Sequence, residues 1–425
     1  MKNDRRFWLA LTIFSLMGQI AWVVENMYLN VFIYKTFAAS AGDISNMVAA
    51  SAVTATLTTV FMGALSDKIG KRKLFICGGY ILWGISIFGF VLLKAEWIEA
   101  NLAMLGSAVT VGVTLTILLD CIMTFFGSTA NDAAFNAWVT DSTDAKNRGI
   151  AEGINAMMPL VSVLVVFGGF MFLNLDLPQS WTVVFSVIGG ATFIIGVLGF
   201  FLIKEPPLQK SSTDYFADIM YGFLPKTVRD NGRLYLTLAG FILFNISIQI
   251  FMPYLIIYYE VSLGMTNYVF VMAPAIILAA VVTVFWGKFY DKKGFFISGL
   301  TAIAMLSAGY MLLYLTKATL PVFIGSLLMM SGYLSGMAVF GATIRDNTPL
   351  GKAGRLQGVR IFSQVLIPGV IGPYIGKAVL KGAEVIVGND GTGSFVPNAN
   401  IFLAAAAVLL LLLPFVFLMR ADKKE

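Results

Sequence analysis

Three acids stand inside long apolar runs and away from their ends: Glu25, Asp120 and Asp132. An ionised carboxylate in such a place is costly unless it is paired, hydrated or protonated. Each acid is therefore either a neutral group that hydrogen-bonds one helix to another or a site that exchanges an ion. Desolvation favours the neutral form of a carboxylic acid, which makes proton exchange accessible. The chain has no histidine, so any proton chemistry falls to carboxylates. Asp132 has the densest polar surroundings, with Ser128, Thr129, Asn131 and Asn136 close by in sequence. Ser128, Asp132 and Asn136 are spaced i, i+4, i+8 and share one face of a helix. Their hydroxyl, carboxylate and amide oxygens suit a proton or a hard cation. Asp120 lies nearer the outer end of its run and is expected to be better hydrated.

Amides form a second set. Gln19, Trp22, Asn26 and Asn30 follow roughly helical spacing, with Glu25 on a neighbouring flank. Asn245 and Gln249 are i, i+4, with Tyr254 and Tyr258 further along, and Arg360 and Gln364 are paired in the same way. Any one of these is explained as a hydrogen bond between helices. Together, amides and aromatic planes make the surface that a hydroxylated solute requires, with Asn136 added from the acid-bearing helix. The twenty methionines are read as core packing.

The elements that must carry these groups follow from composition. Of 425 residues, 58% are hydrophobic and 12% charged, and the mean hydropathy is +0.83. Soluble domains are roughly 25% charged, so an integral membrane protein is expected. Apolar runs predict helices near 7–34, 44–65, 74–94, 113–139, 150–173 and 181–203. A second set follows near 235–258, 267–289, 296–316, 321–344, 358–380 and 399–420. The expected organisation is two six-helix bundles, 1–203 and 234–425, joined by a cytoplasmic connector over 204–233. The stretch from Lys94 to about Val111 reads as an insert on the outer side. No cleavable leader is expected, because the first apolar run after Lys2, Arg5 and Arg6 is too long. Cys77 and Cys121 fall inside apolar runs, which implies neither a disulfide nor a metal site.

With both termini in the cytoplasm, all but five of the 29 Lys and Arg lie on the inner face. The exceptions are Lys35, Lys94, Lys317, Lys377 and Lys381. This is the positive-inside bias, so the basic charge signals orientation in a cell membrane and nucleic-acid binding is not expected. Cysteines placed at Ser212 and Asn389 should accordingly label from opposite faces.

The loop from Gly63 to Lys73 packs Asp67, Lys68, Lys71, Arg72 and Lys73 between two apolar runs, with Gly70 placed for a turn at positive φ. Gly63, Asp67, Lys68, Gly70, Lys71, Arg72 and Lys73 fill the pattern Gly-x-x-x-Asp-Arg/Lys-x-Gly-Arg/Lys-Arg/Lys. Gly287, Asp291, Lys292 and Gly294 repeat its core 224 positions later. Asp141, Thr143, Gly149 and Gly153 recur as Asp346, Thr348, Gly354 and Gly358 after 205. On these residues the chain resembles the major facilitator superfamily over essentially its whole length. That resemblance implies an all-α membrane fold of twelve helices in two pseudo-symmetric halves, working by alternating access. It also implies an inner gate in which Asp67 and Asp291 meet neighbouring helix ends near Lys146, Arg148, Lys352 and Arg355, with Asp141, Asp346 and Arg360 close by.

From Met27 the chain reads Met27-Tyr28-Leu29-Asn30-Val31-Phe32-Ile33-Tyr34. With Asp132-x-x-Phe135 and then Asp141, it is similar to the glycoside–pentoside–hexuronide:cation symporters, the melibiose-carrier group. The resemblance assigns Asp132 to that group's cation-binding acid. The group's two other cation acids fall on Ala55 and Thr59, and its sugar-binding acid on Gln19, which counts against sodium and leaves a proton as the expected coupling ion.

The leading expectation is a monomeric secondary transporter of a small polar solute, a sugar or glycoside, coupled to protons through Asp132. A proton-driven efflux antiporter for amphipathic compounds, with Glu25 recognising a cation, is the alternative. A non-transporting receptor on the same fold is a third. No cofactor, metal or enzymatic activity is expected: no nucleophile–base pair and no phosphate loop is present.

Overall fold

The protein is described from a computed structural model covering residues 5–143, 147–205, 220–349, 353–387 and 393–420, with residues 353–355 as backbone only. Lys146, Ser212, Lys352, Asn389 and the Arg355 side chain lie outside the described residues. The chain divides into two compact units, Met1–Tyr215 and Phe216–Glu425.

Unit 1 holds six long apolar helices: α1 (Arg5–Phe37), α2 (Ala41–Ile69), α3 (Arg72–Leu92), α4 (Ala108–Ser142), α5 (Arg148–Phe170) and α6 (Pro178–Leu202). Their ends carry the expected local signals. Ser40 and Asp43 form a capping box at the start of α2, Ser107 caps α4, and Pro178 occupies the first turn of α6. Gly70 ends α2 with φ 69°, ψ 29°, the left-handed conformation expected of it. Glycine also permits the closest helix crossing: a Cβ on Gly84 would stand 2.6 Å from the backbone nitrogen of Phe193, so α3 and α6 touch backbone to backbone. The stretch after Lys94 is a short helix, Ala95–Leu102, followed by a 3₁₀ turn. It is not a span, and α4 begins at Ala108, inside the stretch expected as an insert.

Unit 2 holds α7 (Gly232–Ser262), α8 (Val269–Leu315), α9 (Thr319–Asn347), α10 (Leu356–Val379) and α11 (Asn400–Leu418). Eleven described helices are thus long and apolar enough to cross a membrane. At 1.5 Å per residue, the 47 residues of α8 would reach about 70 Å, more than twice a hydrocarbon core of about 30 Å. The element turns back on itself at Gly294, where φ is 70° and ψ −177°. Trp286 Nε1 donates to the carbonyl of Ser298, twelve residues on, at 3.1 Å. Two antiparallel passes there are compatible with twelve in all. The described part of the expected connector carries a 3₁₀ turn, Tyr221–Phe223, and a short helix, Pro225–Asp230. Between α10 and α11 stands a small antiparallel hairpin, Val385–Val387 with Gly393–Phe395, which the apolar pattern did not suggest.

Four spans contain a π-helical segment: Val24–Tyr28 in α1, Ser128–Phe135 in α4, Tyr258–Ser262 in α7 and Phe362–Leu366 in α10. Such widened turns are frequent at functional sites. Here they carry Glu25, Asp132, Glu260 and Gln364.

Candidate functional site

The polar interior of unit 1 begins at Asp132. Its Oδ2 accepts from Ser128 Oγ at 3.1 Å and its Oδ1 from Asn131 Nδ2 at 3.4 Å, and the Trp22 side chain hydrogen-bonds it as well. Asn131 is fixed in turn, because its Oδ1 accepts from the hydroxyl of buried Tyr80 at 3.0 Å. Gly18 makes that arrangement possible: a Cβ there would sit 2.4 Å from Asn131 Oδ1 and 2.7 Å from the Tyr80 oxygen. The Trp22 ring lies 5.0 Å from that of Trp83, which lies 5.4 Å from Tyr80. Asn26 and Asn136 are exposed and bond to the backbone at Trp22 and Asp132, at 2.8 and 3.1 Å. Trp22, Asn26, Asp132 and Asn136 therefore form one polar face shared by α1 and α4.

The α1 stripe does not hold throughout. Gln19 and Trp22 are half-buried and Asn26 is exposed, whereas Asn30 is wholly buried and bonds to the Asn26 carbonyl at 2.9 Å. The expectation of one face assumed 3.6 residues per turn. The π segment at 24–28 inserts a wider turn and rotates Asn30 inward.

Glu25 faces the protein. Its Oε1 accepts from Ser51 Oγ at 2.7 Å and from Thr124 Oγ1 at 2.9 Å, tying α1 to α2 and α4. Asp120 is not hydrated, contrary to the expectation from its place along the run: it is 1% exposed. The neighbouring helices cover that level of α4, which the distance from a helix end does not reveal. Ser51, Thr124, Tyr80 and Trp83 carry no sequence signal of their own. Thr124 could have been found as the middle of the four-residue spacing Asp120, Thr124, Ser128, Asp132.

Unit 2 receives its predicted residues differently. Asn245 is buried and donates to its own helix at Phe241 O, at 2.8 Å. Tyr254 is wholly buried with its hydroxyl on Pro373 O at 3.3 Å, and Tyr258 likewise reaches Leu313 O at 3.2 Å. Gln249 packs against Gly372, where a Cβ would meet the Gln249 Cβ at 2.5 Å. The two tyrosines join helices and Asn245 bonds within its own, while Gln249, Arg360 and Gln364 are half-buried.

The loop from Gly63 to Lys73 is built around Arg72. Its side chain is buried between Asp67 and Asp141, with Nε 3.1 Å from Asp141 Oδ2 and Nη1 donating to Ser66 Oγ at 2.5 Å. Asp67 thus meets an arginine of its own loop, and of the cations expected near it Lys146, Lys352 and the Arg355 side chain lie outside the described residues. Arg148 instead bonds to Thr140 O and Thr143 Oγ1 at the end of α4, at 3.2 and 3.4 Å. In unit 2, Tyr290 donates to Asp346 Oδ2 at 2.7 Å, while Asp291 is exposed and makes no ion pair among the described residues. Lys68, like Asp291, stands exposed.

No metal-holding cluster of His, Cys, Asp and Glu occurs among the described residues. Comparison with known structures gives the nucleoside transporter NupG at TM-score 0.69 and 12% identity, covering 98% of this chain and 99% of that one. A mutant of the same transporter superposes at 0.73 with 13% identity, over 98% and 99% of the two chains. A bacterial homolog of the human lysosomal transporter Spinster gives 0.68 and 17%, over 99% and 98%. At these identities the likeness speaks for the fold. No curated protein matches the sequence. The model of the Major Facilitator Superfamily matches residues 7–373, and the chain, a multi-pass membrane transporter of small solutes by fold and family, belongs to that superfamily.

Proposed function

We propose that the protein moves a small polar solute, a sugar or a nucleoside-like glycoside, by alternating access and with proton coupling at Asp132. The observation that carries the reading is the polar face of Trp22, Asn26, Asp132 and Asn136, set among apolar helices. Sugars present hydroxyls in a ring, and amide groups beside an indole plane match them: hydrogen bonds at the edge, apolar contact on the face. Asp132 is hydrogen-bonded yet partly accessible, so it can take and release a proton as its surroundings open. The sequence likeness to the melibiose-carrier group supports a glycoside, and the structural likeness to NupG supports adding nucleosides to the panel. The test is uptake of radiolabelled sugars and nucleosides into proteoliposomes, with and without a pH gradient. Absence of gradient-stimulated uptake across the panel would sink the reading.

A second reading, efflux of an organic cation, has its own observation. Asp132 is hydrogen-bonded by half-buried Trp22, and a carboxylate with an aromatic face is how ammonium groups are recognised. Competition by a quaternary ammonium compound in the same assay, without competition by sugars, would select it.

A further inference from the structure

We propose that a cavity at one end of unit 1 binds the head of an aminophospholipid, with the phosphate on Lys35 and Lys94 and the ammonium on Asp176 and Glu96. The site lies apart from the solute face, and its test does not involve transport.

The cavity measures about 140 Å³ and lies at the end of unit 1 away from the Gly63–Lys73 loop, where α1 and α3 finish and α6 begins. One wall is aromatic and buried: the Phe32 ring stands 5.3 Å from that of Trp181 and 6.4 Å from that of Phe90. The indole N–H of Trp181 is already given to the Leu175 carbonyl at 2.9 Å, so this wall is fixed. The other wall brings two cations and two acids to the same small space, Lys35, Lys94, Glu96 and Asp176.

The Lys35–Asp176 pair is lopsided. Lys35 Nζ is 2.9 Å from Asp176 Oδ1, but the lysine side chain is 10% exposed and the aspartate 72%. A cation entering alone would draw Asp176 away from a buried lysine, which is costly. An anion entering alone would take the lysine and leave the acid unpaired. A zwitterion serves both, because one ion pair becomes two. Lys94 and Glu96, both exposed, repeat the opposite signs beside it. Carboxylates take charge-assisted hydrogen bonds from a primary ammonium, which a quaternary one cannot donate.

The surroundings favour a lipid over a soluble zwitterion. A cavity of about 150 Å³ holds a six-carbon ring, so this one has room for a polar head and none for acyl chains. Leu92 and Leu177, each set between two residues that line the cavity, are exposed, as is Trp97 beside Glu96. Helix ends with exposed tryptophan stand at the level of lipid headgroups. The chains would lie over the two leucines while the head bridges α1, the exit of α3 and the turn before α6. Binding changes no covalent bond.

The experiment is native mass spectrometry of the full-length protein in detergent, with phosphatidylethanolamine, phosphatidylcholine and phosphatidylglycerol of identical chains offered together in equal amounts. The wild type should retain a single phosphatidylethanolamine about tenfold or more in preference to either competitor, the worth of one charge-assisted hydrogen bond. Asp176→Asn and Lys35→Met should each erase that preference. Asp176 stands mostly in water, so its variant keeps the test valid if Lys35→Met does not fold. Equal retention of the ethanolamine and choline lipids, a preference for the glycerol lipid, or a preference unchanged in Asp176→Asn overturns the proposal. Free phosphoethanolamine is the remaining arm. It should not displace the lipid at matching concentration, and displacement on equal terms would make the occupant a soluble zwitterion and overturn the lipid assignment.

Discussion

The two units share a plan and differ in where they allow charge. Among the described residues, Glu25, Arg72 and Asp120 are the buried charged groups, and all lie in unit 1. The wholly buried polar side chains of unit 2 among the described residues are neutral, with Tyr258 on a carbonyl, Tyr259 on Ser326, and Tyr310 on Ser247 at 3.0 Å, while half-buried Glu260 keeps one buried carboxylate oxygen. The two matching loops repeat the contrast. Arg72 of unit 1 is replaced 224 positions later by Phe296, whose ring meets Phe417 at 5.5 Å and lies under Arg420 at 4.8 Å. Ser66 is replaced by Tyr290, which supplies the hydrogen bond to Asp346 that Arg72 supplies to Asp141. An ionic bond thus corresponds to a phenolic one. A repeat preserves backbone placement and the loop glycines, while the chemistry at matched positions is free to diverge.

The largest effect that would test this contrast is on Asp132. In Asp132→Asn, gradient-driven accumulation should fall to the equilibrium level, while exchange of labelled for unlabelled solute without a gradient persists. Retained accumulation would take coupling away from Asp132 and direct attention to Glu25 of the same unit.

The ionic loop should come next. Arg72→Ala leaves two acids without their cation and Ser66 without its donor. Removing one partner of a fully buried pair costs about 3–5 kcal/mol, and the half-exposed state of Asp67 reduces the expectation to about 2–3 kcal/mol. Thermal unfolding in detergent reads it, and an unchanged midpoint would show that the buried arginine is not a structural tie.

Tyr290→Phe in unit 2 removes one hydrogen bond to an exposed carboxylate, worth about 0.5–1.5 kcal/mol. The same unfolding assay should place it below Arg72→Ala, and the reverse order would dissolve the contrast between the loops.

The smallest effect is expected at Asp291. Its exposed carboxylate has no ion pair among the described residues, so Asp291→Asn should move stability by less than about 0.5 kcal/mol. A larger shift, measured beside Asp67→Asn, would show that unit 2 also relies on its loop acid.

The sequence by itself determined the class of protein, because hydrocarbon admits only long apolar runs with their backbone groups satisfied internally. The helix ranges followed to within a few residues at most ends, and so did the turns: Gly70 and Gly294 are positions where positive φ leaves little choice of residue. The loop acids and cations were legible for the same reason, since dense charge must leave the membrane. Which polar residues meet was not legible. Helical spacing placed Asn30 with Trp22 and Asn26, but one π turn rotated it into the core. Distance from a helix end suggested water around Asp120, but packing removed it. Asn245 and Tyr254 have the composition of a binding surface, but packing buried both, with Asn245 bonded to its own helix and Tyr254 to the Pro373 carbonyl. The partners of Glu25, Ser51 and Thr124, are 26 and 99 positions away. Local pattern fixes periodicity and hydrophobicity, which are short-range properties. Burial and hydrogen-bond partnership depend on which helices cross and at what level, and only the packed structure decides that.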